Sequence, residues 1–243
     1  MSPTRVHGYS PRVTQDDTPA VDHRNFYGRR HGKSLKTRQR DALSDLAALS
    51  PGPVSRVENP DRLLLALDRF GARPVWLEIG FGGGEHLIHQ ARLNPGVALI
   101  GAEPFINGVA SLLAALRDAE VGNVWVHPGD VRDLLEILPE GSVERAFLLY
   151  PDPWPKRKHH RRRFVTAEHL GPLARALAPG AEFRIATDIP DYVRQALREV
   201  PRHGFAETGA DRQTPWPDWS RTRYEAKALR EGRKPIYLTF RRS

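Results

Sequence analysis

Four stretches of this chain have residue types and spacings suited to chemistry on a charged, nucleotide-like ligand. The first is Leu77-Glu78-Ile79-Gly80-Phe81-Gly82-Gly83-Gly84-Glu85. Glycines at 80, 82 and 84 let a strand turn sharply into a helix while the backbone lies close against a ligand. A dinucleotide fingerprint needs its third glycine at position 85, where this chain has Glu85. The pattern is instead acid-x-G-x-G-x-G, and a carboxylate at Glu78 repels a pyrophosphate but attracts a cationic amino-acid moiety. Glu103 ends the next apolar run, where doubly wound folds bind ribose hydroxyls, and its two oxygens can accept both O–H groups of a vicinal diol. Asp130, in His127-Pro128-Gly129-Asp130, is suited to accept from an adenine amine. The set points to S-adenosylmethionine as cofactor and away from NAD. One acid in such a loop is more commonly a helix cap; acids after three successive runs, following a glycine turn, argue for a ligand.

The second stretch is Tyr150-Pro151-Asp152-Pro153-Trp154-Pro155-Lys156, followed directly by Arg157-Lys158-His159-His160-Arg161-Arg162-Arg163. Three prolines in five positions make a stiff, non-helical loop that can hold a carboxylate and an indole in fixed positions. Read structurally, it is a rigid turn with a buried Trp154; a rigid acid beside a cationic track is also what a nucleic-acid-modifying site needs. The third and fourth stretches are Ala186-Thr187-Asp188 and Thr222-Arg223-Tyr224-Glu225. The last also reads as a helix start capped by Thr222, with Glu225 three residues on.

These residues fall just after short apolar, β-like runs. Val75–Ile79, Ala98–Ala102, Val124–His127, Arg145–Tyr150 and Glu182–Ala186 are each followed by a loop and, in most cases, a helical pattern. Successive β-then-α units predict a parallel sheet with helices on both faces, whose ligands gather beyond the carboxyl ends of the strands. Runs near Phe205 and over Ile236–Phe240 suit an antiparallel edge hairpin, joined by a long insertion without a clear helical pattern. Ahead of the first strand, Arg38–Leu49 and Asp61–Phe70 read as helices split by Ser50-Pro51-Gly52-Pro53. Residues 1–23 are polar and aperiodic, as in a flexible arm. The expected organisation is therefore an arm over 1–23 and a single domain over 24–243 with a basic, helical N-terminal extension.

The chain has 243 residues, no Cys, and a formal charge of +8. Absent cysteine removes thiolate nucleophiles, disulfides and Cys-ligated metals, and allows a cytoplasmic location. No apolar run approaches the ~20 residues of a membrane span, so no membrane or metal partner is expected. The charge is concentrated: Arg24–Arg40 carries +7, Lys156–Arg163 carries +6 and Arg221–Ser243 carries +6, leaving −11 on the rest. A mildly acidic body with three basic patches suits a polyanionic partner. Taken singly, each patch also reads as solvated surface.

The Pro-Asp-Pro-Trp and Thr-Arg-Tyr-Glu elements, with the glycine turn, Ala186-Thr187-Asp188 and Tyr27-Gly28-Arg29-Arg30-His31-Gly32, make the chain resemble the bacterial tRNA (guanine-N7-)-methyltransferase family from about Asn25 to Arg241. The resemblance implies a Rossmann-like class I methyltransferase fold with a seven-stranded, mostly parallel sheet. It also implies S-adenosylmethionine-dependent methylation of N7 of the variable-loop guanine at tRNA position forty-six. By the same resemblance Glu78, Glu103, Asp130 and Asp152 match cofactor-binding acids, with Gly80 and Gly82 in the turn. Lys156, Asp188, Thr222, Arg223, Tyr224 and Glu225 match substrate-contacting positions. Pro155 departs from relatives that carry His there, at a peripheral position.

The residues agree with such chemistry. Guanine N7 has an in-plane lone pair and no proton, so attack on a sulfonium methyl needs no general base. No nucleophile–base pair is evident. Asp152 is expected between methyl donor and guanine, as the catalytic residue. Glu225 or Asp188 is expected to accept from guanine N1–H and N2–H2, with Tyr224 as a stacking face. An amino-methyltransferase is disfavoured because only one proline separates Asp152 from Trp154. Pyrimidine C5 methylation is excluded by the absent cysteine. A cofactor-dead RNA-binding module is opposed by the intact acids, and a dinucleotide oxidoreductase by Glu78 and Glu85. Either a monomer or a homodimer is compatible with these features.

Overall fold

The computed structural model describes residues 28, 30–50, 68, 71, 73–209 and 211–243. The expected arm over 1–23 and most of the expected helix Asp61–Phe70 lie outside the described residues. Five strands, β1 (Val75–Ile79), β2 (Ala98–Ala102), β3 (Val124–His127), β4 (Val143–Leu149) and β5 (Leu177–Thr187), pair in parallel. They are joined by β6 (Phe205–Glu207) and β7 (Ile236–Arg242) in the order β3-β2-β1-β4-β5-β7-β6. β7 runs antiparallel to both β5 and β6, so the edge hairpin closes the sheet as expected.

The alternation along β1 shows why the runs become strands. Leu77 and Ile79 face one core with Ile100, Leu148 and Phe183, whereas Trp76 faces the other with Leu99, Val126 and Phe147. Strands buried on both faces read as continuous apolar runs, which is why their positions were legible and their ends less so. β4 begins two residues before the predicted start, and β5 begins five before.

Helices α1 (Thr37–Ala42) and α2 (Leu46–Leu49), linked by a 3-10 turn, occupy the predicted Arg38–Leu49 segment. They lie on the β1–β3 side with α3 (Glu85–Leu93) and α4 (Ile106–Leu116). Helices α5 (Val131–Ile137), α6 (Ala167–Ala176) and α7 (Pro190–Glu199) cover the opposite face. Over β4, β5 and β7, on the α3 side, a loop takes the place of a helix. Trp216 and Trp219 lie there against Tyr237. Asp218 pins the loop, its carboxylate pairing with Arg184 at 2.8 Å and its carbonyl accepting from Gln90 Nε2 at 2.8 Å.

This insertion also holds α8 (Arg223–Arg230), an eight-residue helix where no clear helical pattern is readable. Its buried side chains are Glu225 and Ala228, so a carboxylate takes one of the inward positions and the segment is short and polar overall, which hides it in sequence. Among the described residues no helix is long and apolar enough to cross a membrane.

Candidate active site

Strand order reverses between β1 and β4, and a cleft of about 970 Å³ opens beyond the carboxyl ends of the parallel strands. Such a reversal leaves a crevice because the helices following the two strands depart to opposite faces. The turn after β1 forms one wall, with Gly80 at φ +72° and Gly82 at φ +56°, a region costly for residues with a Cβ. At Gly82 a Cβ would also come 3.0 Å from the Tyr224 ring.

Glu103 reaches across from the end of β2. Its Oε2 accepts from Gly82 N at 2.8 Å and its Oε1 from Phe105 N at 2.9 Å, which fixes the carboxylate plane at the cleft wall. Burial pushes this carboxyl above the usual glutamate value, against the pull of the two amides. Asp130 caps α5, accepting from Arg132 N at 2.9 Å, so the cap reading holds. It lines the cleft as well. Its other oxygen takes Arg132 Nε at 2.9 Å and Nη2 at 2.6 Å. Burial opposes ionisation of Asp130, but these bonds outweigh it and hold the carboxyl below the usual aspartate value.

Glu78 is 3% exposed and lies beneath the turn, outside the cleft lining. Its Oε2 meets Nδ1 of buried His86 at 2.8 Å, and the His86 ring contacts Phe147 and Trp219.

Opposite the glycine turn, the β4 loop carries Asp152 on an exposed stretch of the cleft wall. Two non-glycine residues with positive φ bracket it, Tyr150 at +49° and Trp154 at +38°. Such conformations persist only where the surroundings impose them, and they concentrate at functional sites. Trp154 is half-buried and also lines the cleft, with the Arg162 guanidinium 4.9 Å from its ring centre. The loop is the rigid turn expected, but Trp154 is only half-buried in it.

Of the substrate-side residues, Tyr224 lines the cleft and is 47% exposed. Arg223 pairs with Glu85 at the start of α3. Thr222 caps α8 by accepting from Glu225 N at 3.2 Å. The Glu225 carboxylate turns inward, accepting from Trp219 Nε1 at 2.6 Å and Tyr237 Oη at 3.1 Å. Asp188 pairs with Arg233. Neither Glu225 nor Asp188 lines the cleft, and each is committed to a partner brought by the fold.

The first two basic patches reach the rim, whereas the third runs to the other end of the sheet, where Arg241 pairs with Glu182. Gly28 lines the cleft, Arg30 O accepts from Ile106 N, and Gly32 N donates to Asn107 Oδ1 at 2.7 Å. Lys156 is exposed at the start of a 3-10 turn over Arg157–Arg162, of which Arg161 and Arg162 line the cleft. Arg163 is the exception. It is 1% exposed, so it does not belong to a solvated basic face as the sequence suggests. Among the described residues no group of three or more His, Asp or Glu side chains is placed to hold a metal ion.

A cradle of Cβ-free turn residues, an acceptor pair on Glu103 and the wall acid Asp130 fit an adenosyl ligand with a cationic tail. On this sheet order they define a class I S-adenosylmethionine-dependent methyltransferase. Residues 72–238 match the family model described as "Putative methyltransferase". The chain is 66% identical over 230 residues to the tRNA (guanine-N(7)-)-methyltransferase of Ruegeria pomeroyi, covering 93% of this chain and 97% of the relative. It belongs to the tRNA (guanine-N(7)-)-methyltransferase family.

Solved structures agree at the level of fold. The 16S rRNA methyltransferase KamB superposes with a TM-score of 0.56 at 18% identity, covering 74% of this chain and 93% of its own. A 16S rRNA (adenine(1408)-N(1))-methyltransferase variant from Catenulisporales acidiphilia, solved with cosubstrate SAM, gives 0.52 at 17% identity, covering 75% and 91%.

Proposed function

We infer that this chain methylates N7 of a guanine in tRNA, at position forty-six of the variable loop, in the cytoplasm. The observation that carries the reading is the meeting, at one cleft, of an acid-lined cofactor wall, the bracketed Asp152 loop, the first two basic segments and Tyr224 at the start of α8. Bound S-adenosylmethionine supplies an electrophilic methyl group on a sulfonium. Glu103 accepts the ribose hydroxyls, Asp130 the adenine amine, and Gly80 and Gly82 allow the backbone to approach. Glu78 adds negative charge beneath the turn toward the cationic tail. Asp152 orients the guanine and offsets the charge that N7 acquires; no residue need remove a proton. Tyr224 offers the base a stacking face, and Lys156 and Arg223 meet nearby phosphates. Asp188, Thr222 and Glu225 act on the base by holding the loops that present Tyr224 and Arg223. Every one of these residues comes from one chain, which a monomer or a homodimer satisfies equally.

The functional test uses unmodified tRNA transcripts. Replacement of the variable-loop guanine by adenine should abolish methyl incorporation, and undiminished incorporation elsewhere would refute the position.

Glu103→Gln should weaken cofactor binding by about 2–3 kcal/mol, roughly 30- to 150-fold, since one amide loses its acceptor and the diol loses a charged partner. The wild-type carboxyl titrates above the usual 4.5. Binding should therefore be full above that raised pKa and fall as acid protonates Glu103, over a range higher than an ordinary glutamate would set. Calorimetric titration against pH reads both effects, and an unchanged slope in Glu103→Gln would exclude this carboxylate as the titrating group.

A further inference from the structure

The Pro-Asp-Pro-Trp loop poses a physical problem. Pro151, Pro153 and Pro155 have no N–H, so the loop has few backbone donors with which to hold its shape. Its handles are its carbonyls. Arg163 grips two of them immediately after Asp152: Nε donates to Pro153 O at 2.8 Å and Nη2 to Trp154 O at 3.4 Å. The rest of the guanidinium faces α7. Nη1 donates to Gln195 Oε1 at 2.8 Å, and Nη2 pairs with Asp191 Oδ2 at 2.8 Å. The guanidinium lies 5.3 Å from the Tyr192 ring centre. Gln195 is fixed in turn by donating to Val165 O at 2.7 Å. The Arg163 bond leads the effects holding the Asp191 carboxyl below the usual aspartate value, consistent with a formed ion pair.

We propose that Arg163 is a positioning residue for methyl transfer: a buried guanidinium that clamps the Asp152 loop to the start of α7 and holds the carboxylate at its working place. The inference rests on the reading of Asp152 as the catalytic residue. A buried charge is costly and persists where its donors are satisfied. Here the partners lie on two separate elements, and the planar fork of arginine reaches both. Lysine keeps the charge but offers a compact ammonium on a single atom, which cannot span carbonyls on one side and Gln195 on the other. The bracketing positive-φ residues have the same explanation: the clamp holds the loop in a conformation its own backbone does not favour.

The test compares Arg163→Lys with wild type for turnover, KM for tRNA, cofactor affinity and thermal midpoint. Turnover should fall about 100-fold, the scale expected for displacement of a catalytic group by roughly 1 Å. KM for tRNA and cofactor affinity should stay within about threefold. Asp191→Asn, at a more exposed partner that tolerates substitution, should lower turnover about 5- to 10-fold with the same selectivity. In Arg163→Ala, guanidinium ion should restore part of the turnover where ammonium does not.

Turnover retained in Arg163→Lys and Asp191→Asn would overturn the clamp. So would losses in which cofactor affinity and thermal midpoint fall in step with turnover, with no rescue. Mapping the base methylated by wild type keeps the two readings separable. Product other than N7-methylguanine overturns the assigned reaction, whereas the correct product with an indifferent Arg163 overturns only the clamp.

Discussion

Asp152→Ala should reduce turnover by about 100- to 1,000-fold, far more than it weakens cofactor affinity. The scale is that of removing one preorganised electrostatic group from a reaction centre. Selectivity for turnover follows from the division of labour among the cleft acids. Glu103 is held by the Gly82 and Phe105 amides and Asp130 by Arg132, so the cofactor wall survives the loss of Asp152. Asp152 sits on the facing wall, on a loop whose prolines and bracketing positive-φ residues hold it in one place. Because N7 needs no deprotonation, its contribution is alignment and charge, and Asp152→Asn should retain more activity than Asp152→Ala. Single-turnover rates and equilibrium cofactor binding measure the two quantities separately. A loss confined to affinity would remove Asp152 from catalysis.

The second large effect is that of salt on tRNA affinity. Exposed cations from the first two basic segments, Arg30, Lys33, Lys156, Arg157, Lys158 and Arg161, lie on the segments that border the cleft, and Arg223 adds to them from α8. If about six of them meet phosphates, affinity should fall roughly 1,000-fold between about 50 and 200 mM salt. Removing Lys156 or Lys158 alone should reduce the slope of log K against log salt by about one each. Cofactor affinity, set inside the cleft, should change by less than about threefold over the same range. Filter binding across salt concentrations reads the slope, and a flat dependence would show that the patches are only solvated surface.

The sheet was legible because parallel strands buried on both faces write themselves as apolar runs, each followed by the loop that bears a site residue. The glycine turn and the acids at 103 and 130 were legible for the same reason, since their places follow from where strands end. Side chains whose partners arrive from elsewhere in the chain were less legible. Asp188 meets Arg233 and Glu225 meets Trp219 and Tyr237, so both turn from the cleft where guanine recognition was expected. Glu78 meets His86 under the turn it was expected to line. Arg163 ends a run of cations that looks uniformly solvated; its burial is decided by carbonyls at 153 and 154 and by side chains at 191 and 195. Helix α8 was obscured by its polar composition, although its Thr222 cap was readable.

The most direct test of the central claim is to incubate the purified protein with methyl-labelled S-adenosylmethionine and unmodified tRNA, digest the product, and locate the label. Label is expected on N7 of the variable-loop guanine and nowhere else. Label on an exocyclic amine, on a pyrimidine carbon, or on no base at all would contradict the claim.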